Sequence, residues 1–455
     1  MARTSAGDQD RRTLPDGDKS LPRFSAGNQD PPTVPDGDKS LSKFPAGDQS
    51  LLRSINERAV LEQIDRVGSA TRADIAASTG LSKPTVALAL TNLTARGWVQ
   101  ETGTVTGRKG PVATLYSVRA EAAFAAGVDV GHDWIKVNIA DITGVVRAHR
   151  REALDRSAPH LADQVRNLID TAAAQIGRSA DDLAQTVVGV PGAVGTDGLS
   201  LTYAGGIPSD AGDLGRTLAD SLSHPVMLEN DVNLAALAER SAGLAIDVDD
   251  FVLLALGHGV GLGIVIGGAL HRGRAGAAGE VGHLPSTRHS RIGAAHPQLD
   301  EHIGSAYIEA RAREAGMTGD VSPRGVFDAA RTGSEIARAI VRDTADSIAY
   351  TIACFAPILD PPLVILGGAI GANRDLLQGR VIEHLGELTP LRPRIETSHL
   401  GADAVLIGAT AMAVDRARAA AYDTAGRPHR PLLKSAPRPA IRRQNTHPAP
   451  ETPRT

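Results

Sequence analysis

Cysteine is nearly missing from this sequence: among 455 residues there is one, Cys354, set in the apolar stretch IACFAPIL. A lone thiol closes no intrachain disulfide, and its neighbours mark it as a small core residue. Long apolar runs are missing too. No stretch approaches the roughly 18 residues that a membrane-spanning helix requires, and the polar N-terminus lacks the apolar centre of a signal peptide. A cytoplasmic protein with no membrane partner is therefore expected. Net charge is also slight. A value of −4 at pH 7 gives no global nucleic-acid signature, so any DNA-binding surface has to be local. The length leaves room for more than one domain and a sizeable core.

Both ends of the chain are poor in core material. SAGDQDRRTLPDGDKSLPRF at Ser5–Phe24 returns as SAGNQDPPTVPDGDKSLSKF at Ser25–Phe44, and PAGDQSLL begins a third copy. Each copy offers only Leu, Val and Phe against much Pro, Gly and Asp, too little to offset the entropy of ordering. Residues 1–50 therefore read as a disordered tail of repeats. Residues 424–455, rich in Pro and Arg and almost free of acid, read as a second flexible tail, with weak attraction to DNA phosphate as the alternative.

Residues 51–119 are short and helix-rich. In TRADIAASTGLSKPTVALALTNLTARGWVQE, Thr71 can cap a helix with Asp74 as its capping partner, and Gly80 can end it. Ser82 caps the next helix, with Pro84 in the first turn where a missing N–H costs little. Two helices joined by TGLS have the proportions of a helix-turn-helix. Val86, Leu90 and Leu93 are spaced to face the core, which leaves Lys83, Thr85, Ala87, Leu88, Thr91 and Asn92 for the exposed face. WVQETG and ATLYSV then read as strands flanking TVTGRKGP, a wing with Arg108 and Lys109 at its tip, placed for phosphates or a minor groove. The whole resembles the winged helix-turn-helix of bacterial regulators. The DNA contacts expected are Ser82, Lys83, Thr85 and Asn92 with Arg108 and Lys109; with Lys83 its only cation, the second helix identifies no base contacts. A helical domain that binds a protein is the alternative.

Residues 120–423 alternate strands and helices, as in α/β architecture. AAGVDVG, WIKVNIADI and VVRAHRREA read as strands, HLADQVRNLIDTAAAQI as an amphipathic helix and TVVGVPGAV as a buried strand. PLVILGG and AVLIGAT both read as a strand running through Gly into a helix. Five motifs stand out in order: DVGHDW, GVPGAV, LENDVNLAALAE, GHGVGLG and AGEVGHLP. Together they resemble the ROK family (repressors, open reading frames and kinases). The resemblance covers nearly all of residues 51–423. It implies a two-lobed, actin-like ATPase fold of the ribonuclease H-like kind, with a sugar cleft between the lobes.

By that resemblance Asp231 matches the catalytic carboxylate, which in a kinase orients the attacking sugar hydroxyl and takes its proton. Asn230 matches a sugar-hydroxyl ligand, although an isolated Asn-Asp pair is more often a helix cap. Glu280 and His283 match sugar ligands, a carboxylate and an imidazole converging on one pocket as acceptor and donor. Gly192 matches a loop beside the sugar.

The departures are as informative. Family kinases begin D-x-G-G-T-K; here Asp129 and Gly131 remain, but His132, Asp133 and Trp134 fill the following places, and a carboxylate there repels phosphate. The second phosphate loop keeps Gly257, Gly259, Gly261 and Gly263, yet His258 replaces its Thr. The zinc pattern C-x-C-G-x-x-G-C is gone from RIGAAHPQ, and His283, His289, His296 and His302 read as ordinary polar residues of a rebuilt loop rather than as metal ligands. Neither zinc nor ATP is expected as a cofactor. YAGGIPSDAGDLG stands where the family more often places a Trp.

The sequence thus points to a transcriptional repressor that binds a double-stranded operator and senses a sugar, without enzymatic activity. The resemblance implies a homodimer or homotetramer. An ATP-dependent sugar kinase with a fused DNA-binding domain, or a regulator that no longer senses sugar, are the alternatives.

Overall fold

The computed structural model describes residues 46–105, 112–157, 160–202, 208–285 and 298–424. The wing tip with Arg108 and Lys109, the loop with His289 and His296, and nearly all of both tails lie outside the described residues. Helix α1, Ala46–Val67, begins inside the stretch read as tail.

The helical part consists of α1, β1 (Ala70–Thr71), α2 (Arg72–Thr79), α3 (Lys83–Ala95), β2 (Val99–Val105) and β3 (Ala113–Val118). Its antiparallel sheet runs β1–β3–β2. Local chemistry sets the boundaries. Thr71 and Asp74 form a reciprocal capping box on α2, and Gly80 ends it at φ 71°. Ser82 caps α3 through the Thr85 N–H, with Pro84 in the first turn. Val86, Leu90 and Leu93 are buried, as their spacing requires.

Two lobes follow. The first contains β4 (Phe124–Val130), β5 (Trp134–Asp141), β6 (Val146–Ala153), α4 (Leu161–Ala174), β7 (Gln185–Val190), α5 (Leu214–Ser221), β8 (Val226–Asn230) and α6 (Asp231–Ala242). The second contains β9 (Phe251–Leu256), β10 (Val260–Ile266), β11 (Ala269–Leu270), α7 (Ser305–Glu314), α8 (Pro323–Arg331), α9 (Glu335–Leu359), β12 (Leu363–Gly367), α10 (Gly368–Gly371), α11 (Arg374–Leu388), β13 (Arg394–Thr397) and α12 (Ala404–Thr424). The sheets run β6–β5–β4–β7–β8 and β11–β10–β9–β12–β13. In each, the first three strands in chain order pair antiparallel and the last two add parallel. The same topology thus occurs twice, the two-lobed arrangement that the resemblance implies. The helix after each fifth strand, α6 and α12, is shared: these two pack on one another at the centre.

One element departs from the sequence reading. AVLIGAT is the first two turns of α12, not a strand, and the fifth strand is β13 just before it. Gly408 explains the difference, because a Cβ there would stand 1.8 Å from the Leu234 carbonyl oxygen of α6. The glycine serves helix-helix approach rather than a turn. Further along α12, Ala409, Ala413, Val414, Ala417 and Ala421 share one apolar core with Val60, Leu61 and Ile64 of α1 and with Leu90 and Leu93 of α3. The helical part is therefore built onto the lobes through α12. Arg418 adds a polar tie: its Nε donates to the Ile142 carbonyl at 2.8 Å and lies 3.3 Å from Asp65 Oδ2 of α1.

Candidate functional site

The ends of β4 and β8, the β9–β10 turn and the Gly279–Glu280 segment enclose a cleft of about 540 Å³. That is within the size range of small-molecule sites. Gly192, Asn230, Asp231 and Glu280 line it, as the resemblance implies, together with His132, His258 and Asp300.

Asn230 turns out to be the cap of α6. Its Oδ1 accepts the Asn233 N–H at 2.9 Å, and its amide donates to the Gly192 carbonyl at 3.0 Å. It thereby fixes Asp231 in the first turn, where Oδ1 accepts the Val232 N–H at 2.8 Å. Burial pushes the Asp231 carboxyl up to about 7; the Val232 bond opposes this, while Asp129 and Glu280 reinforce it. Behind the cap lies Glu229, which is almost fully buried. It accepts from Asn233 Nδ2 at 2.9 Å, from the Asn230 N–H at 3.1 Å and from Arg272 Nε at 2.7 Å.

Of the two expected sugar ligands, Glu280 lines the cleft and His283 does not. Glu280 is in the wall, whereas the His283 ring is exposed, with Nδ1 3.1 Å from Gln298 Oε1. His283 ends a short turn of 3-10 helix over Val281–His283 and stays near enough to act on the charge of both Glu280 and Asp300. The acid that does join Glu280 is Asp300, whose Oδ1 accepts the Val260 N–H at 2.8 Å. A Cβ on Gly282 would stand 2.3 Å from that same oxygen, so this glycine admits the carboxylate. Burial raises both Glu280 and Asp300 above the usual carboxylate range, and His283 pulls each back. Nothing in the sequence singled out Asp300, because its partners lie about forty residues away in β10.

The phosphate half is remade. His132, in the β4–β5 turn, stacks on His258, in the β9–β10 turn, with ring centroids 4.4 Å apart and planes 10° apart. Arg156 Nη2 lies 3.0 Å from His132 Nδ1 and donates to its carbonyl at 2.7 Å. Asp129 is buried and paired with Lys136 at 3.4 Å, and Lys136 also reaches Asp403 and the Ala402 carbonyl. Burial raises the Asp129 carboxyl; Lys136 opposes it. Among the described residues, no group of three or more His, Cys, Asp or Glu side chains could hold a metal ion.

On the helical part, Ser82 and Lys83 are exposed at the start of α3, and Thr85 is half-buried, its hydroxyl 2.8 Å from Ser82 Oγ. Asn92 departs from the expected face. Its amide donates to Glu57 Oε1 at 2.7 Å, and Arg96 pairs with the other oxygen of that buried carboxylate. Asn92 therefore joins α3 to α1, since its position on the helix turns it inward beside Leu93.

The comparisons with known proteins agree with this architecture. The chain matches the ROK family over residues 125–416 and the IclR helix-turn-helix domain over residues 59–103. A xylose repressor of Caldicellulosiruptor bescii is 24% identical over 80% of this chain and 96% of its own length. The DNA-binding transcriptional dual regulator NagC of Escherichia coli is 24% identical over 70% of this chain and 82% of its own. Among solved structures, a ROK family transcriptional regulator described as a homologue of the E. coli MLC protein superposes with a TM-score of 0.67 at 22% identity, covering 82% of this chain and 98% of that one. A ROK family glucokinase from Streptomyces griseus, solved with glucose and AMPPNP, superposes at 0.55 with 25% identity over 64% of this chain and all of its own. Doubled lobes, shared central helices and a match across most of the chain place this protein in the ROK family.

Proposed function

We propose that the protein is a DNA-binding transcriptional regulator, acting as a repressor, whose sugar-kinase-like cleft binds a sugar or related metabolite and performs no phosphoryl transfer. One observation carries the reading: a helix-turn-helix shares a continuous core with α12, and the first residues of α12, Ala404 and Val405, line the cleft. A ligand there touches the same helix that α1 rests on. It acts only by binding the open and closed lobe arrangements with different affinity. Ser82, Lys83 and Thr85, with Arg108 and Lys109 of the wing, are the proposed DNA contacts. A homodimer or homotetramer suits a two-fold operator. The protein works in the cytoplasm without zinc or ATP, and the names of its relatives support a sugar as effector.

A sugar kinase is the second reading, and Asp231 favours it. A carboxyl titrating at about 7 is matched to general-base work. The stacked imidazoles in the phosphate half oppose it.

The deciding experiment is binding of the purified protein to its own upstream DNA, with and without a panel of sugars. Specific binding that one sugar changes supports the regulator and identifies the effector. Specific binding that none changes keeps the regulator and rejects sugar sensing. ATP consumption with any of these sugars, abolished in Asp231→Ala, would overturn the non-enzymatic reading.

A further inference from the structure

We propose that Arg272 is the positioning residue of the cleft: through Glu229 it locks the Glu280-bearing segment to the cap of α6, so that the two ligand-bearing walls hold one geometry. This rests on the reading of the cleft as a ligand site.

The residues form a closed chain of contacts. Arg272 follows β11, and its carbonyl accepts the Ala278 N–H at 3.2 Å, closing the segment that leads into Glu280. Its guanidinium places Nε and Nη2 each 2.7 Å from Glu229 Oε2. The other oxygen of Glu229 serves α6, accepting from Asn233 Nδ2 and the Asn230 N–H. Asn230 in turn holds Gly192 and sets Asp231. One arginine therefore connects Glu280, Gly192, Asn230 and Asp231, which come from three separate stretches of chain.

The chemistry explains why arginine is needed. Glu229 is buried, with 3% of its side chain exposed, whereas 40% of the Arg272 side chain is exposed. A buried carboxylate without a cation is strongly disfavoured, so Glu229 recruits whichever residue supplies one. A guanidinium also places two N–H groups on one oxygen in a fixed plane, which orients the backbone that carries it; an ammonium supplies charge without that orientation. Arg272 does not itself line the cleft. It acts through its neighbours.

The test uses the full chain as Arg272→Met, Glu229→Gln, both together, and Arg272→Lys. Amide exchange is read by mass spectrometry without added sugar, on peptides covering residues 271–281 and 229–234, with α9 as an internal control. Each single change should raise exchange in both segments by roughly tenfold, the size expected for one charge-assisted bond. The double change should add little, and Arg272→Lys should restore part of the protection. Loosening of 271–281 alone, or additive effects, would overturn the proposal. Should Arg272→Met fail to fold, the near-isosteric Glu229→Gln reads the same coupling. The panel of sugars is then titrated against DNA binding of each variant. The proposal expects the response to shift to about tenfold higher sugar in the single variants, with sugar-free operator affinity unchanged. A response that did not shift would refute positioning even where exchange changed. If exchange behaved as expected but no sugar acted on the unsubstituted protein, the sugar-sensing reading and the ligand-positioning role would fail together, while the contact itself stood.

Discussion

His132 of the first lobe and His258 of the second stack face to face, 4.4 Å between ring centroids, across the part of the cleft where family kinases place phosphate-binding residues. Each ring stands where the kinase pattern has a small residue or a threonine. Two imidazoles in contact join the lobes directly. Under the proposed non-enzymatic reading, loss of the nucleotide site and gain of an interlobe contact are one structural change.

If the stack closes the nucleotide half, removing it should reopen that half. A fluorescent ATP analogue should show no saturable binding to the unsubstituted protein. The pair His132→Gly and His258→Thr should gain affinity by about tenfold or more, the scale of one relieved contact. Tight ATP binding by the unsubstituted chain would contradict the assignment.

Asp231 makes a prediction about pH. Its carboxyl is held up at about 7, chiefly by burial, against an ordinary value of 3.8. A group with a raised folded pKa binds its proton more tightly in the folded state. Its contribution is neutral below pH 4; as pH rises from there towards 7 it costs stability, and the cost is constant above. Asp231→Asn removes the charge while keeping an oxygen for the Val232 N–H. The variant should melt higher than the unsubstituted protein at pH 8, by a few degrees for a gain on the order of 1 kcal/mol, and equally at pH 4. Equal melting at both values would mean the carboxyl is not desolvated in solution.

Where the signal was local, the sequence was legible. The Thr71–Asp74 box, the Gly80 stop and the Ser82 cap each involve residues within one helical turn, and all three form. Four of the five strands of the first lobe, β4 to β7, were legible, whereas β8 was not read as a strand. AVLIGAT was not legible, because an apolar run with one glycine fits a strand ending in a turn as well as a helix buried on all sides. Only Leu234, far away in α6, decides between them. Asp300 was invisible on the same ground. Ligand motifs located the cleft, while the contacts that shape it lie between segments that are distant in sequence.

Asn92 and Lys83 should now separate. Lys83 is exposed at the start of α3, so Lys83→Ala should weaken binding to all DNA sequences and reduce the salt slope by about 1. Asn92 is committed to Glu57. Asn92→Ala should cost about 1–2 kcal/mol of stability, since it strips a buried carboxylate of one donor, and should leave the order of preference among operator variants unchanged. A change in that order, seen in competition binding, would return Asn92 to the DNA surface.

The tie between Arg418 and Asp65 bears on how the cleft reaches DNA. Both side chains are largely covered, 24% and 19% exposed, and Arg418 also holds the Ile142 carbonyl of the first lobe. One guanidinium therefore touches α1, the first lobe and its own helix α12, whose other end lines the cleft. Arg418→Met keeps most of the apolar packing and removes the polar tie. Stability should fall by about 1 kcal/mol, as for a partly buried ion pair. Operator affinity without sugar should hold, because α3 and the wing are untouched. The sugar-induced change in that affinity should shrink, because α1 no longer follows α12 as closely. Asp65→Asn should do the same in weaker form. If both variants responded to sugar as fully as the unsubstituted protein, the apolar seam of α12 alone would carry the coupling, and the polar tie would be structural only.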